Sequence, residues 1–284
     1  MTAAAPSVGV PVPPRPGRML RVARSLRYYL PAVVVFVSVI AVWELVTRAL
    51  QVRAFILPPP SAIGAALVEN WGAGRWPLFD AARMTLMEAV GGLLIGTAAG
   101  IVVAFAVGRW MTARDAVLPF AVAANAIPII AIAPIFNAWF GITNPMSKMM
   151  VAALLVFFPV MINVTRGLTQ VEPSALELMR SYAASEWTVL RKVRVPNALP
   201  YFLTALKVAT TLSLIGAIVG EYFGGSSNVI GRVVVQSASS LRFDVTWAAI
   251  LLGAIAGIVF YLAIVVLERA LIPWHASVRG EEHA

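Results

Sequence analysis

The sequence predicts an all-α, polytopic membrane protein with six transmembrane helices and both termini on the cytoplasmic side. Three observations predict it. The chain of 284 residues is 60% hydrophobic and 12% charged, about half the charged share of a soluble domain, which averages roughly 25%. Its apolar residues fall into runs near the ~20 residues that a helix needs to cross a hydrocarbon core. Its basic residues gather at the ends of those runs, unequally on the two sides. The net charge of +9 therefore reads as membrane orientation rather than as a nucleic-acid footprint. There is no cysteine, which excludes disulfides, thiol catalysis and iron–sulfur ligation and leaves the redox compartment open.

The elements follow in order. Residues 1–28 read as a basic cytoplasmic tail, rich in Pro and Ala to about residue 16 and expected to be partly disordered. Residues 29–275 form the membrane domain, and 276–284 a second cytoplasmic tail. The first span, 30–50, follows basic residues without a convincing cleavage site and is read as retained rather than as a signal peptide. The second span is 87–107. The third, 116–139, carries Pro119, Pro128 and Pro134. It is either a broken helix at a protein-lined path or a bent packing helix. The fourth, 149–165, contains Pro159; the fifth is 202–223 and the sixth 247–271. With the N-terminus inside, fifteen of the 22 basic residues face the cytoplasm. Arg48, Arg53, Arg75, Arg83, Lys148, Arg232 and Arg242 face outward, the asymmetry expected for this orientation. Outside, Pro58-Pro59-Pro60-Ser61 leads into a short interfacial helix at 62–69, and 229–241 reads as another. Such surfaces either receive an external protein or pack over the bundle. No internal repeat is visible.

The segment 174–196 is polar, basic and helix-patterned inside an otherwise apolar chain. Ser174 is placed to cap a helix, with Glu177 completing a capping box. Leu176, Met179 and Ala183 then share one face. Ala183-Ala184-Ser185 offers a compact elbow, and Ser185 is placed to cap a second helix whose apolar side is Trp187, Leu190 and Val193. Arg191, Lys192 and Arg194 gather at its C-terminal end, where the helix dipole favours cations, and Pro196 is expected to end it. The pattern alone fits an amphipathic hairpin on the inner membrane surface as well as a docking element.

The segment resembles the cytoplasmic EAA loop of ABC importer permeases: Glu-Ala-Ala, three residues, Gly, nine residues, Ile-x-Leu-Pro. Glu177, Ala183 and Val193-Arg194-Val195-Pro196 keep that spacing. The departures are Leu178-Met179 for Ala-Ala, Ala183 for Gly, and Val193 and Val195 for Ile and Leu. Ala183 stands where glycine alone takes positive φ freely. Asn125-Ala126-Ile127-Pro128, Ala138-Trp139-Phe140-Gly141, Ser147-Lys148, Phe157-Phe158-Pro159, Asn163, Glu221, Gly231, Leu267-Glu268-Arg269 and Pro273-Trp274 resemble the sulfonate/taurine/nitrate branch. Ala205-Leu206-Lys207 and Ile218-Val219-Gly220-Glu221-Tyr222-Phe223-Gly224-Gly225 are similar to a sub-branch associated with pyrimidine (thiamine-precursor) and riboflavin-type uptake.

The resemblance implies a type I ABC importer permease fold in a bacterial inner membrane, paired with itself or a close relative. It implies two ATPase subunits, which bind ATP and Mg, and an external substrate-binding protein. It also implies that Glu177, Arg180, Ala183, Ala184, Trp187, Leu190, Arg191, Val193 and Pro196 form the element coupling to the ATPase. This chain has no Gly-x-x-x-x-Gly-Lys-[Ser/Thr] phosphate loop, and none of its three lysines follows a glycine. No catalytic role, cofactor or metal is expected of it. The cargo stays open among sulfonates, nitrate, pyrimidines and flavins, with a small heteroaromatic compound favoured.

For the path, Asn125 beside Pro128 is the first choice, because a proline-broken helix exposes backbone acceptors. Asn137, Asn163 and Glu221 complete the candidate set, although interhelical hydrogen bonding is the ordinary role of such asparagines. Glu221 either lines the outer mouth, pairs with Lys148 or Arg232, or anchors a helix end at the interface. Glu88 reads as interfacial, and Lys207 as snorkelling to the inner interface. Among rival functions, an ATPase-independent secondary transporter or channel lacks its usual repeat symmetry and mid-membrane charges. An intramembrane enzyme lacks histidines in the spans, His275 and His283 being the only two. A non-transporting scaffold using the same loop remains as a third.

Overall fold

The computed structural model describes residues 18–72, 74–109 and 131–272, with Pro119, Ala123 and Pro128 as isolated positions; side chains are described from Tyr29 onward, Arg109 excepted. The expectations for residues 1–17, for Asn125 and for residues after Ile272 lie outside this range. Ten helices are named here among the described residues: α1 (Arg18–Ala49), α2 (Pro60–Glu69), α3 (Leu78–Arg109), α4 (Ala133–Phe140), α5 (Pro145–Thr169), α6 (Pro173–Ser181), α7 (Glu186–Val189), α8 (Val195–Tyr222), α9 (Ile230–Ser239) and α10 (Phe243–Leu271). A π turn, Leu190–Arg194, joins α7 to α8.

Among the described residues, five helical stretches are long and apolar enough to cross a membrane: Tyr29–Ala49, Leu78–Gly108, Pro145–Thr169, Glu186–Tyr222 and Phe243–Leu271. They account for the first, second, fourth, fifth and sixth predicted spans. The third falls mostly outside the described residues; its end is α4, which starts at Ala133 with Pro134 in its first turn. The two predicted outer helices are α2 and α9. Proline stands in the first turn of α2, α5 and α6, where its missing N–H has no intrahelical partner to lose.

The core is a crossing of α3, α5 and α8. In lipid, apolar area drives little helix association, so close packing through small residues has to supply it. Gly92, Gly96 and Gly100 recur every four residues on α3, one above another on a single helix face. A Cβ on Gly92 would lie 2.4 Å from the Cβ of Ala152, and one on Gly96 would lie 2.4 Å from the Ala153 carbonyl oxygen. From the other side, a Cβ on Gly216 of α8 would lie 2.6 Å from the Cα of Ala152. Ala152 is thus clasped by two helices at once.

Two apolar clusters extend from this crossing to opposite ends. Near one end, Val164 and Leu168 of α5 meet Ala198 and Leu203 of α8 and Ile264 of α10. At the other, α2, the start of α3, α9 and the start of α10 bury Ile63, Trp76, Leu78, Ile230, Val233 and Val245. Lys207 does not snorkel. It forms an ion pair with Glu268 of α10 at 2.9 Å, so the two charges satisfy each other between helices. The long α1 touches the rest near its end, through an edge-to-face pair of Trp43 with Trp247 at 5.6 Å and through Glu44, which accepts from the Ser61 backbone at 3.0 Å.

The glycine crossing makes a direct prediction. Gly96→Ala, which drives a methyl into a backbone carbonyl, lowers stability by about 1–3 kcal/mol. Gly64→Ala on α2, where an added Cβ meets nothing within 4 Å, leaves it unchanged or slightly raised. Thermal unfolding of the two variants in one detergent checks the contrast.

Candidate functional site: an exposed elbow and a buried charge cluster

The elbow begins at Pro173, one residue earlier than the sequence suggests. Ser174 therefore sits inside the first turn and donates to Glu172 Oε1 at 2.6 Å, and no side chain caps α6. The expected Ser174–Glu177 capping box does not form, because Pro173 occupies the first helical position and shifts the register. Glu177 is exposed and makes no ion pair among the described residues.

The end of α6 is a Schellman motif. The Ala183 N–H donates to the Arg180 carbonyl at 2.9 Å and the Ala184 N–H to the Met179 carbonyl at 3.0 Å, the two bonds that define this helix stop. Its left-handed position is Ala183, at φ +47°. The turn that the family pattern gives to glycine is kept by alanine, with the clash of its Cβ as the cost. Ser185 then caps α7 as expected, accepting from the Thr188 N–H at 3.3 Å.

Pro196 does not end the second helix. Its ring has no N–H and would crowd the carbonyl four residues back. The π turn at Leu190–Arg194 accommodates it: the Val195 N–H reaches back five residues to the Leu190 carbonyl. The helix then continues, so 186–222 is one helical run. Asn197 closes the base of the elbow, donating to the Gly167 carbonyl at 2.7 Å and the Gln170 carbonyl at 3.1 Å.

The elbow's inner side is anchored and its outer side is open. Leu190 packs against the α5/α8/α10 cluster, and Ala184 and Val193 are half-buried. Leu178 at 56%, Trp187 at 69% and Tyr182 at 75% are the exposed apolar groups. Arg180 and Arg191 are exposed around them and make no ion pair among the described residues. Two free aromatics rimmed by free cations, on a short anchored loop, have the chemistry of a protein-docking knob.

The second constellation lies at the opposite end of α8, one or two turns from the glycine crossing. Lys148 and Glu221 are completely buried and Glu88 is 3% exposed. The Lys148 ammonium spends all three donors on Ser147 Oγ at 2.8 Å, Asn137 Oδ1 at 3.2 Å and the Ile142 carbonyl. Its aliphatic stem lies over Gly220, where a Cβ would meet Lys148 Cγ at 3.2 Å. Glu221 Oε2 accepts from the Gly231 N–H at 2.6 Å. The Thr85 hydroxyl accepts from the Ile230 N–H at 3.0 Å. Glu88, one turn after Thr85, faces Glu221, while Arg232 faces Lys148. Two carboxyls and two cations are thus packed together. Glu88 Oε2, Glu221 Oε1, Arg232 Nε and Asn137 Nδ2 have no hydrogen-bond partner among the described residues.

This cluster corrects two sequence readings. Glu88 is not interfacial, because α3 starts at Leu78, nine residues before the predicted span. Lys148 is not merely an outer cation, because α5 starts at Pro145, four residues before the predicted one. Spans drawn too short put both charges at an edge. The available signal was an ionisable residue within a turn of an apolar run. Of the candidate path residues, Glu221 is inside the bundle rather than at an open mouth. Asn137 is half-buried and engaged with Lys148. Asn163 is half-buried and donates back to the Pro159 carbonyl at 2.8 Å. Pro128 is exposed.

The chain is similar to known proteins over most of its length. A family profile described as "Binding-protein-dependent transport system inner membrane component" matches residues 96–275. A "Probable ABC transporter permease protein" of Haemophilus influenzae is 30% identical over 84% of this chain and 95% of its own. The "Formylaminopyrimidine transport permease protein ThiX" of Halalkalibacterium halodurans is 31% identical over 84% of this chain and 93% of its own. Among solved structures, "an amino acid ABC transporter with histidines" superposes with a TM-score of 0.55 at 18% identity, covering 68% of this chain and 94% of that one; this likeness speaks for the fold.

Each constellation carries a prediction. Ala183→Gly removes the left-handed strain against a smaller backbone-entropy loss, a net gain of about 0.5–1 kcal/mol. Amide exchange across residues 173–190 then slows by about twofold to fivefold, whereas Ala183→Val speeds it. Lys148→Met leaves buried carboxyls facing an uncompensated site and destabilises by about 3–5 kcal/mol, read as a lower unfolding midpoint in detergent.

Proposed function

The chain belongs to the family of binding-protein-dependent transport system inner membrane components, and on that premise we propose that its elbow is the docking element for a separate ATPase subunit. The protein is a multi-pass membrane permease subunit of an ABC importer for a small solute. The reading of the elbow is carried by one observation: Tyr182 and Trp187 stand exposed on a loop whose base is locked by Asn197. A hairpin lying on lipid needs no locked base.

In this mechanism Trp187, Tyr182 and Leu178 seat in a groove of the ATPase, and Arg180 and Arg191 meet acids on its rim. Glu177 lies on the same exposed helix. Val193 and Leu190 tie the knob to the bundle, and the Schellman turn at Ala183–Ala184 fixes the angle between the two short helices. When the ATPase dimer closes on ATP and Mg, it moves the elbow. The single helical run from Glu186 to Tyr222 carries that movement across the membrane, with the π turn before Pro196 absorbing bending. The chain works as one of a pair, a homodimer by preference, with both termini in the cytoplasm and an external binding protein delivering the cargo. Asn125, Pro128, Asn137, Asn163 and Glu221 remain the residues assigned to the path. The favoured cargo is a small heteroaromatic compound, in keeping with the pyrimidine named for the ThiX relative.

Reconstitution with the ATPase and binding protein in lipid tests this. Trp187→Ala removes the main anchor, a loss of about 2–4 kcal/mol in docking. The ATPase then dissociates on purification, and ligand-stimulated hydrolysis falls at least tenfold. Ala183→Arg acts in the same direction. An ATPase that never co-purifies with the unaltered chain, together with wild-type transport by both variants, overturns the reading and favours an ATPase-independent transporter.

A further inference from the structure

Thr85 and Glu221 do more than balance charge. Between them they accept the backbone N–H groups of Ile230 and Gly231, at 3.0 and 2.6 Å. These are the first two residues of α9, whose initial N–H groups have no partner inside their own helix. Neither cap comes from α9 itself or from its preceding loop. One comes from α3 and the other from the end of α8. The contact is also close: a Cβ on Gly231 would lie 2.7 Å from Glu221 Cβ and 2.7 Å from the Ile218 carbonyl oxygen. Helix α9 is therefore fastened to α8 by a buried bond and by backbone contact.

The position of this joint matters. Glu221 is the penultimate residue of the helical run 186–222, whose other end is the elbow. At ~1.5 Å per residue that run is about 55 Å long. Lys207 clamps its middle to α10 through Glu268. The joint and the elbow are thus the two ends of one rod.

We propose that Thr85 and Glu221 are positioning residues that lock the N-terminus of the outer helix α9 to α3 and α8, so that a displacement of α9 is transmitted through α8 to the elbow. The displacement comes from docking of the external binding protein on that face, so the inference rests on the function proposed above. The buried polar joint is the transmitting contact. With it, α9 moves as one body with α8 and the start of α3; without it, α9 retains its apolar contacts through Ile230 and Val233 but can pivot about its N-terminus.

The test is the ratio of binding-protein-stimulated to basal ATP hydrolysis, measured on the reconstituted complex. Thr85→Val keeps the volume and removes the hydroxyl. It is expected to leave ATPase co-purification and basal hydrolysis intact while lowering the ratio by about fivefold or more, a typical size for coupling between sites. Thr85→Ser restores the hydroxyl and the ratio. Glu221→Gln keeps one acceptor oxygen of two and gives an intermediate ratio; it also serves if Thr85→Val does not assemble. An unchanged ratio in the assembled variant overturns the proposal, as does a Thr85→Ser ratio no higher than that of Thr85→Val. The elbow reading has its own readout, since its failure shows as loss of correlation between Trp187→Ala and ATPase co-purification, with the joint intact.

Discussion

The contact of Gly92 and Gly216 on Ala152 is the constraint from which the rest of the fold is built. Three membrane helices meet there, Gly92 against the Ala152 methyl and Gly216 against the Ala152 backbone. The glycine ladder on α3 lets α5 approach over three turns, and Gly216 lets α8 approach the same residue from the other side. Because lipid tails are as apolar as the helices, this geometric fit takes the place that water exclusion holds in a soluble core. It also sets the separation and register of α5 and α8, and everything at their two ends inherits that register.

At one end the inherited register places Asn197 of α8 under the last carbonyls of α5. The chain between them has nowhere to go except outward as a short, tied loop. The elbow's stiffness is therefore a property of the helix crossing as much as of its own sequence. At the other end the same register stacks Lys148 over Gly220 and brings Thr85, Glu88 and Glu221 together. Burying charge in a bundle is costly unless it is matched and hydrogen-bonded; here the Lys148 donors are all used, Glu88 and Glu221 each keep an oxygen without a hydrogen-bond partner among the described residues, and the charges meet between helices rather than within one. The cluster gives that end a fixed geometry, and the uninterrupted run from Glu186 to Tyr222 connects it to the elbow.

How much of this was legible differs element by element. The two short outer helices and five of the spans could be read, since hydropathy and proline placement act locally. Ser185 could be read as a cap because its partner lies three residues away. Ser174 could not, because Pro173 already occupied the position that starts the helix. Pro196 looked like a stop, but the preceding turn widened instead, a choice that depends on Leu190 and Ala198 being held in the α5/α8/α10 cluster. Ala183 adopts positive φ without glycine because Tyr182 and Ser185 on either side are fixed by the two helices. Glu88, Lys148 and Lys207 were assigned to interfaces because charge in an apolar run is costly, and the opposite charges they face lie 60 or more residues away in each case.

The sequence by itself determined that this chain is helical, crosses the membrane repeatedly, carries a polar, basic helix-patterned loop and has no phosphate loop of its own. Those properties follow from composition, period and short-range spacing, which act within a single helix or turn. Only the tertiary structure decided which charges are buried, which carbonyls Asn197 and Lys148 satisfy, and that Glu221 reaches the start of α9. Those outcomes depend on distances between helices, and the distances are set where α3, α5 and α8 close on small residues far apart along the chain.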